Sequence, residues 1–263
     1  MEYCYETHEE MNIDYQMNGN LLIGTKRGYN GPKLIFHTFN CDTLEIIRDK
    51  IPQYVEYCDL KTASSFFVDL RCIYLIDVEN NQYAKSCNFP YMIHEIDGNH
   101  ITYCRQNNHI YIFHSHTESY DTGVFIFDIQ NNTLKNPECK SLHELDIISC
   151  CVANDDIRLV LEDGIYSYDI ESDKLMMMIE ISNIYNITMT KNVTFVRDFD
   201  KHGSIFIGSE MFKQMEFCPI ENIITFFNVY DDKLMSVSLY YDYLNLRRPV
   251  TEIARHDIKK LIS

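Results

Sequence analysis

The chain has 263 residues with 46% hydrophobic content, no Trp, 10 Cys and a formal net charge of −16. That much apolar material can fill one large core, and all-β folds of this length are commonly single domains, so the expectation is one domain over 1–263. The negative charge opposes phosphate backbones, which call for clustered Lys and Arg, so no direct nucleic-acid binding is expected.

No run reaches the roughly 18 apolar residues of a membrane helix, so no membrane partner is expected either. The N-terminal MEYCYETHEE is acidic and lacks a basic region followed by an apolar run. This predicts a cytoplasmic or nuclear protein that is not secreted. Residues 1–15 also read as a worn copy of the repeat that fills the rest of the chain, placed to close the last blade of a ring from the opposite end.

Six hairpins follow in chain order. LLIGT leads into LIFHTFNCDTL from Leu34, FFVDL into IYLIDVENNQY from Ile73, and IYIFH into VFIFDIQNNTL from Val124. IRLVL leads into IYSYDIESDKL from Ile165, VTFVRD into IFIGSEMFKQM from Ile205, and ITFFN into the run from Lys233 that contains SLYYDYLNLRR. In each copy four or five consecutive apolar residues, rich in Ile, Val, Phe and Tyr, demand a strand buried on both faces. Short polar residues then reverse the chain, as at Asn80-Asn81, Asn131-Asn132 and Ser172-Asp173. The slot before the turn holds Thr38, Asp77, Asp128, Asp169, Ser209 and Asp242, spaced by roughly 40, 50, 40, 40 and 33 residues, the period of propeller blades.

The expected fold is therefore all-β: a single β-propeller of six blades with about four antiparallel strands each. Counting the N-terminal copy as its own blade gives seven as the alternative. Phe125, Phe127, Tyr166, Tyr168, Tyr74 and Phe206 should sit between blades. The slot carboxylates are read as turn-fixing residues, each holding backbone N–H groups. The C-terminal VTEIARHDIKKLIS fits a last strand or a short helix.

Inside the hairpins, three connections read as long: Thr25 to Lys33, Ser115 to Gly123 and Arg197 to Gly203. They supply Arg27, Tyr29, His116, Glu118, Tyr120, Arg197, Phe199 and His202, among them the aromatic and Arg types that dominate binding hot spots. These eight are the expected partner-binding residues. His114, His116, Glu118 and Asp121 carry metal-ligating types, but a metal site draws on several elements, so none is assigned. There is no CxxC, no GxSxG elbow and no Gly-rich phosphate loop. Cofactors, metals and catalytic residues are accordingly expected to be none, and the cysteines to be reduced core thiols.

The hairpin followed by VFIFDIQNNTL resembles kelch-type propeller repeats, in which a strand and loop lead to a strand ending in an aromatic, an Asp and a turn before a large apolar residue. It departs from them in carrying Gly24 and Gly208 singly where those repeats have a Gly-Gly doublet. Leu44, Leu134 and Leu175 stand where they favour Trp. The resemblance implies a protein-binding platform, often an adaptor, without chemistry of its own.

The expected function is a non-catalytic intracellular scaffold or adaptor that holds a protein partner on its loop-rich face, with an acidic surface suited to a basic partner. Two alternatives stand beside it. One is a propeller hydrolase with a metal in the central channel, drawing on Asp69, His114, Asp198 and Asn228 near the ends of strands read as innermost. The other is a fixed subunit of a large assembly.

Overall fold

The computed structural model describes residues 2–7, 14–18, 21–28, 31–43, 46–50, 53–56, 65–68, 71–77, 79–91, 93–94, 102–116, 122–153, 156–189, 193–198, 203–207, 210–215, 223–230, 233–242 and 248–261. Among these, a 3-10 turn at Lys140–Leu142 and one helical turn, α1 (Ile258–Leu261), are the departures from an all-strand molecule.

Strand β1 (Glu2–Thr7) opens the chain and is paired last. The first sheet follows as β2 (Asp14–Asn18), β3 (Leu21–Gly28), β4 (Gly31–Asn40) and β5 (Ile46–Lys50), hydrogen-bonded in chain order. In the second, β6 (Gln53–Tyr54), β7 (Ser65–Val68), β8 (Cys72–Asp77) and β9 (Gln82–Asn88) lie in the order β6-β9-β8-β7, with β6 parallel to β9. The third has β10 (Ile93–His94) and β11 (Thr102–Gln106) both on β12 (His109–His116), continuing through β13 (Thr122–Asp128) to β14 (Thr133–Lys135). Chain order returns in the fourth, β15 (Ser149–Ala153), β16 (Asp156–Leu161), β17 (Gly164–Asp169) and β18 (Lys174–Glu180). The fifth repeats it with β19 (Ile184–Met189), β20 (Val193–Asp198), β21 (Gly203–Ile207) and β22 (Glu210–Met215). The sixth contains β23 (Ile223–Tyr230), β24 (Lys233–Asp242) and β25 (Arg248–Asp257), and β1 adds to β25 antiparallel with Tyr3 opposite Ala254. Both ends of the chain thus share one sheet. The C-terminal segment holds both forms its imperfect alternation allowed, a strand to Asp257 and then the helical turn.

The doubly buried runs have a direct cause in the packing. On β12, Ile110 and Ile112 join Phe66, Val68, Ile73 and Leu75 of the second sheet, while Tyr111 and Phe113 join Ile157, Leu159 and Leu161 of the fourth. On β13, Phe125 and Phe127 go to the first of these clusters and Val124 to the other. On β17, Tyr168 faces the third sheet and Ile165 packs with Val196 and Phe206 of the fifth. Successive side chains of one middle strand therefore serve two separate cores, so neither face can be polar. Phe125, Phe127, Tyr168, Phe206 and Tyr74 are all buried. Tyr166 is half-buried, and its hydroxyl donates to Asp163 Oδ2 at 2.9 Å, which leaves its polar end near solvent.

Along one side of the row of sheets, β11 packs against β15, β15 against β19, β19 against β23, and β23 against β2. This corrects the assignment of innermost strands in part, since ITFFN in β23 does lie on that side. LLIGT, IYIFH, IRLVL and VTFVRD fall in β3, β12, β16 and β20, one strand in from that side. The edge strands β11 (TYCRQ) and β15 (SCCVA) mix polar with apolar residues and carry a weaker pattern. Between the sixth sheet and the first, Arg255 donates to the carbonyls of Cys41 and Asp42, and Lys233 Nζ stands 3.8 Å from Asp42 Oδ1.

Candidate protein-binding face

The repeated carboxylates are committed to their own turns. Asp128 Oδ1 accepts the backbone N–H groups of Gln130 and Asn131 at 2.9 and 3.0 Å, while Asn131 Nδ2 donates to Oδ2 at 2.7 Å. Asp169 receives the N–H groups of Glu171 and Ser172 on Oδ1 and the Ser172 hydroxyl on Oδ2. Asp77 takes the N–H and the side-chain amide of Asn80. Each turn then passes through a left-handed residue, Asn81, Asn132 or Asp173 at φ 55, 52 and 50°, a conformation that short polar side chains tolerate. Where the first sheet has Thr38, the task moves two residues on: Asn40 Oδ1 accepts from the N–H groups of Asp42 and Thr43. These bonds favour the ionised form. The side chain of Asn131 above all holds the Asp128 carboxyl below its ordinary range, and that of Ser172 does the same for Asp169.

The hairpin ends are tighter than the sequence spacing implied. Strands β3 and β4 continue to a Gly28–Gly31 pairing, so Arg27 lies in a strand and only residues 29–30 connect. His116 is the last residue of β12 and stands opposite Ile93, and Arg197 in β20 stands opposite Asn186 and Gly203. Tyr29, Glu118, Tyr120, Phe199 and His202 lie outside the described residues. Extended pairing absorbed Thr25–Lys26, Ser115 and Arg197 because strand ends of mixed polarity can still exchange backbone hydrogen bonds.

His114 sits one strand in from the inner side. It is buried, its ring stacked on Phe125 at 4.2 Å between centroids and edge-on to Tyr91 at 5.6 Å. Gly123, opposite His114 in the ladder, makes room for it: a Cβ there would stand 3.2 Å from the imidazole Cε1. His114 thus packs as a core residue against Phe125 and Tyr91. Asp69 is outside the described residues, and only the backbones of Asp198 and Asn228 are placed. Among the described residues no group of three His, Cys, Asp or Glu side chains could hold a metal.

Among the described residues, seven cysteine side chains are placed, all as free thiols. Burial pushes Cys41 up to about 12 and Cys87 up to about 11, and it raises Cys150 as well, so all three stay protonated. No helix among the described residues is long and apolar enough to cross a membrane. One surface feature escaped the sequence reading: Met176, Met177 and Met178 on β18 are exposed.

No family matches the sequence, and no curated protein matches it. Solved structures do match. A TolB structure from Acinetobacter baumannii aligns with a TM-score of 0.52 at 10% identity, over 89% of this chain and 64% of that one. A chain of a nidogen–laminin complex aligns with a TM-score of 0.53 at 8% identity, over 77% of this chain and 78% of that one. BamB from Moraxella catarrhalis gives 0.43 at 12% identity, over 91% and 73%. The fold is a β-propeller. The propeller thus rests on whole-chain geometry, while the kelch-like detail of its repeats has no family match beside it. This chain spans under two thirds of the TolB chain's length. The expected cytoplasmic or nuclear location does not stand, because the matched TolB is a periplasmic or envelope protein. That expectation had rested on ten N-terminal residues, and a propeller is built by the same strand packing in any compartment.

Proposed function

We propose that the six sheets form one closed six-bladed ring over residues 1–263, with residues 1–15 supplying the closing strand. The ring serves as a non-catalytic scaffold or adaptor that holds a protein partner. The observation that carries this reading is the use made of the repeated acids. Asp77, Asp128 and Asp169, the most regular polar signal in the chain, are spent on holding turns. Variation between blades is then left to the hairpin ends, where Arg27, Tyr29, His116, Glu118, Tyr120, Arg197, Phe199 and His202 are the assigned contacts. A net charge of −16 favours a basic partner. One of the similar propellers was solved bound to a protein, in the nidogen–laminin complex, which supports the same use of this fold.

The test replaces residues 117–121 with a two-residue turn, which removes Glu118 and Tyr120 and keeps the paired strand ends, and uses the variant to pull down the native partner. Loss of a hot spot removes about 2 kcal/mol or more, roughly a thirtyfold fall in affinity. Undiminished binding by a variant with an unchanged melting temperature would move the site elsewhere on the ring.

A further inference from the structure

Cys104 lies in β11 at the inner edge of the third sheet, Cys150 lies in β15 at the inner edge of the fourth, and β11 packs against β15. Register turns the two side chains toward each other. Cys104 stands opposite Tyr111 and Cys150 opposite Leu159, and directly opposed residues share a face of their sheet. Tyr111 and Leu159 both belong to the core between the third and fourth sheets, and Cys104 and Cys150 pack there with them. Cys150 makes side-chain hydrogen bonds with Cys104 and Thr102, which lie two apart in β11 and so on one face.

The same register sets this pair apart from its neighbours. Cys151, next in the chain, stands opposite Arg158 and packs in the core between the fourth and fifth sheets. Cys72 stands opposite Asn88 while Cys87 stands opposite Ile73, so those two leave opposite faces of the second sheet. Cys104 and Cys150 instead bring thiols from two sheets into contact across packed strands, which is the arrangement a disulfide needs.

We propose that Cys104 and Cys150 are a covalent modification site, a disulfide that staples the third sheet to the fourth. The oxidant is a small disulfide such as oxidised glutathione. One cysteine thiolate attacks it, forming a mixed disulfide and releasing one glutathione thiolate. The second cysteine thiolate then attacks the protein sulfur of the mixed disulfide and expels the other glutathione. The two protein thiols give up two protons and two electrons, and one oxidised glutathione becomes two reduced molecules. Burial and the contact with Cys104 hold the Cys150 thiol well above its ordinary range, so the packed, reduced protein exchanges slowly and the bond is made while the sheets come together. The loop closed from 104 to 150 contains β12, β13 and β14, so the link restricts the unfolded chain over most of the third sheet.

To test this, the full chain is reduced and unfolded, refolded in a mixture of oxidised and reduced glutathione, alkylated, and digested without reductant for mass spectrometry. A peptide pair joined through Cys104 and Cys150 is expected, and it should separate on reduction. The oxidised chain should melt roughly 5–10 °C above the same chain kept reduced. C150S should abolish that difference, while C151S should keep both the link and the difference. The peptide map is read on the wild-type chain, so it stands even where a variant folds poorly. A map in which both cysteines are alkylated as free thiols overturns the proposal, as does one in which either is joined to a different cysteine. A link that leaves the melt unchanged overturns the stapling role.

Discussion

Phe127 shows how much one side chain of the repeat carries. It is fully buried, stands opposite Ile110 on one side and Leu134 on the other, and packs in the core shared by the second and third sheets. Phe127→Ala removes that burial and leaves a cavity, so it should cost about 3–5 kcal/mol in a denaturant melt. A loss below about 1 kcal/mol would mean the core is not continuous there. His256 makes a second single-residue test, through pH. Burial pulls its pKa from the ordinary 6.5 down to about 4. As pH falls through about 6.5 the unfolded chain takes up this proton, while the folded chain waits until about 4, so the unfolded state binds more protons in that window. Stability should therefore fall with falling pH across it, by at most about 1.4 kcal/mol per unit, and the slope should end below about 4. His256→Gln should flatten it. The depressed carboxyls of Asp128 and Asp169 act in a more acidic window: their contribution is present above the ordinary carboxylate range and is lost as pH falls through their lowered values.

The hairpin is the element on which the functional proposal turns, and its register states what shortening it should do to the fold. Pairs His114–Gly123 and Ser115–Thr122 close the β12–β13 ladder, and Thr122 Oγ1 donates to the Leu145 carbonyl at 2.6 Å. A shortened variant that keeps these two pairs should melt within a few degrees of the wild type, because loop length itself costs only about 0.6 kcal/mol per doubling. A large drop would show that the removed residues pack on the blade. The same element marks how far sequence could be read. All six hairpins pair as their apolar runs implied, since a strand buried on both faces leaves an unbroken run such as IYIF or VFIF. Turn carboxylates were legible because an Asp two or three residues before its N–H donors has few other uses. Innermost strands such as β11 and β15 were not, because they mix polar with apolar residues and leave no period. Nor was the exposed β18 edge: KLMMMI reads as another buried run, while its place at the outer edge of the fourth sheet leaves Met176, Met177 and Met178 exposed.

At the scale of the molecule, the decisive contact is the most distant one in sequence. Strand β1 pairs along its length with β25, from Glu2 opposite Arg255 to Thr7 opposite Val250, so the sixth sheet cannot be completed until β25 is made. Closing so long a loop costs entropy, and its return is the protection of an edge strand of ten residues, β25, from pairing with other chains. Deleting residues 1–12 should therefore lower the melting temperature and promote association through β25, while a synthetic peptide of those residues should restore the melt in a saturable, concentration-dependent way. Rescue by the peptide separates a missing strand from general damage. If the truncated chain melts as the full chain does and ignores the peptide, the pairing of β1 with β25 contributes nothing to stability, and the propeller must be held by the packing between sheets alone.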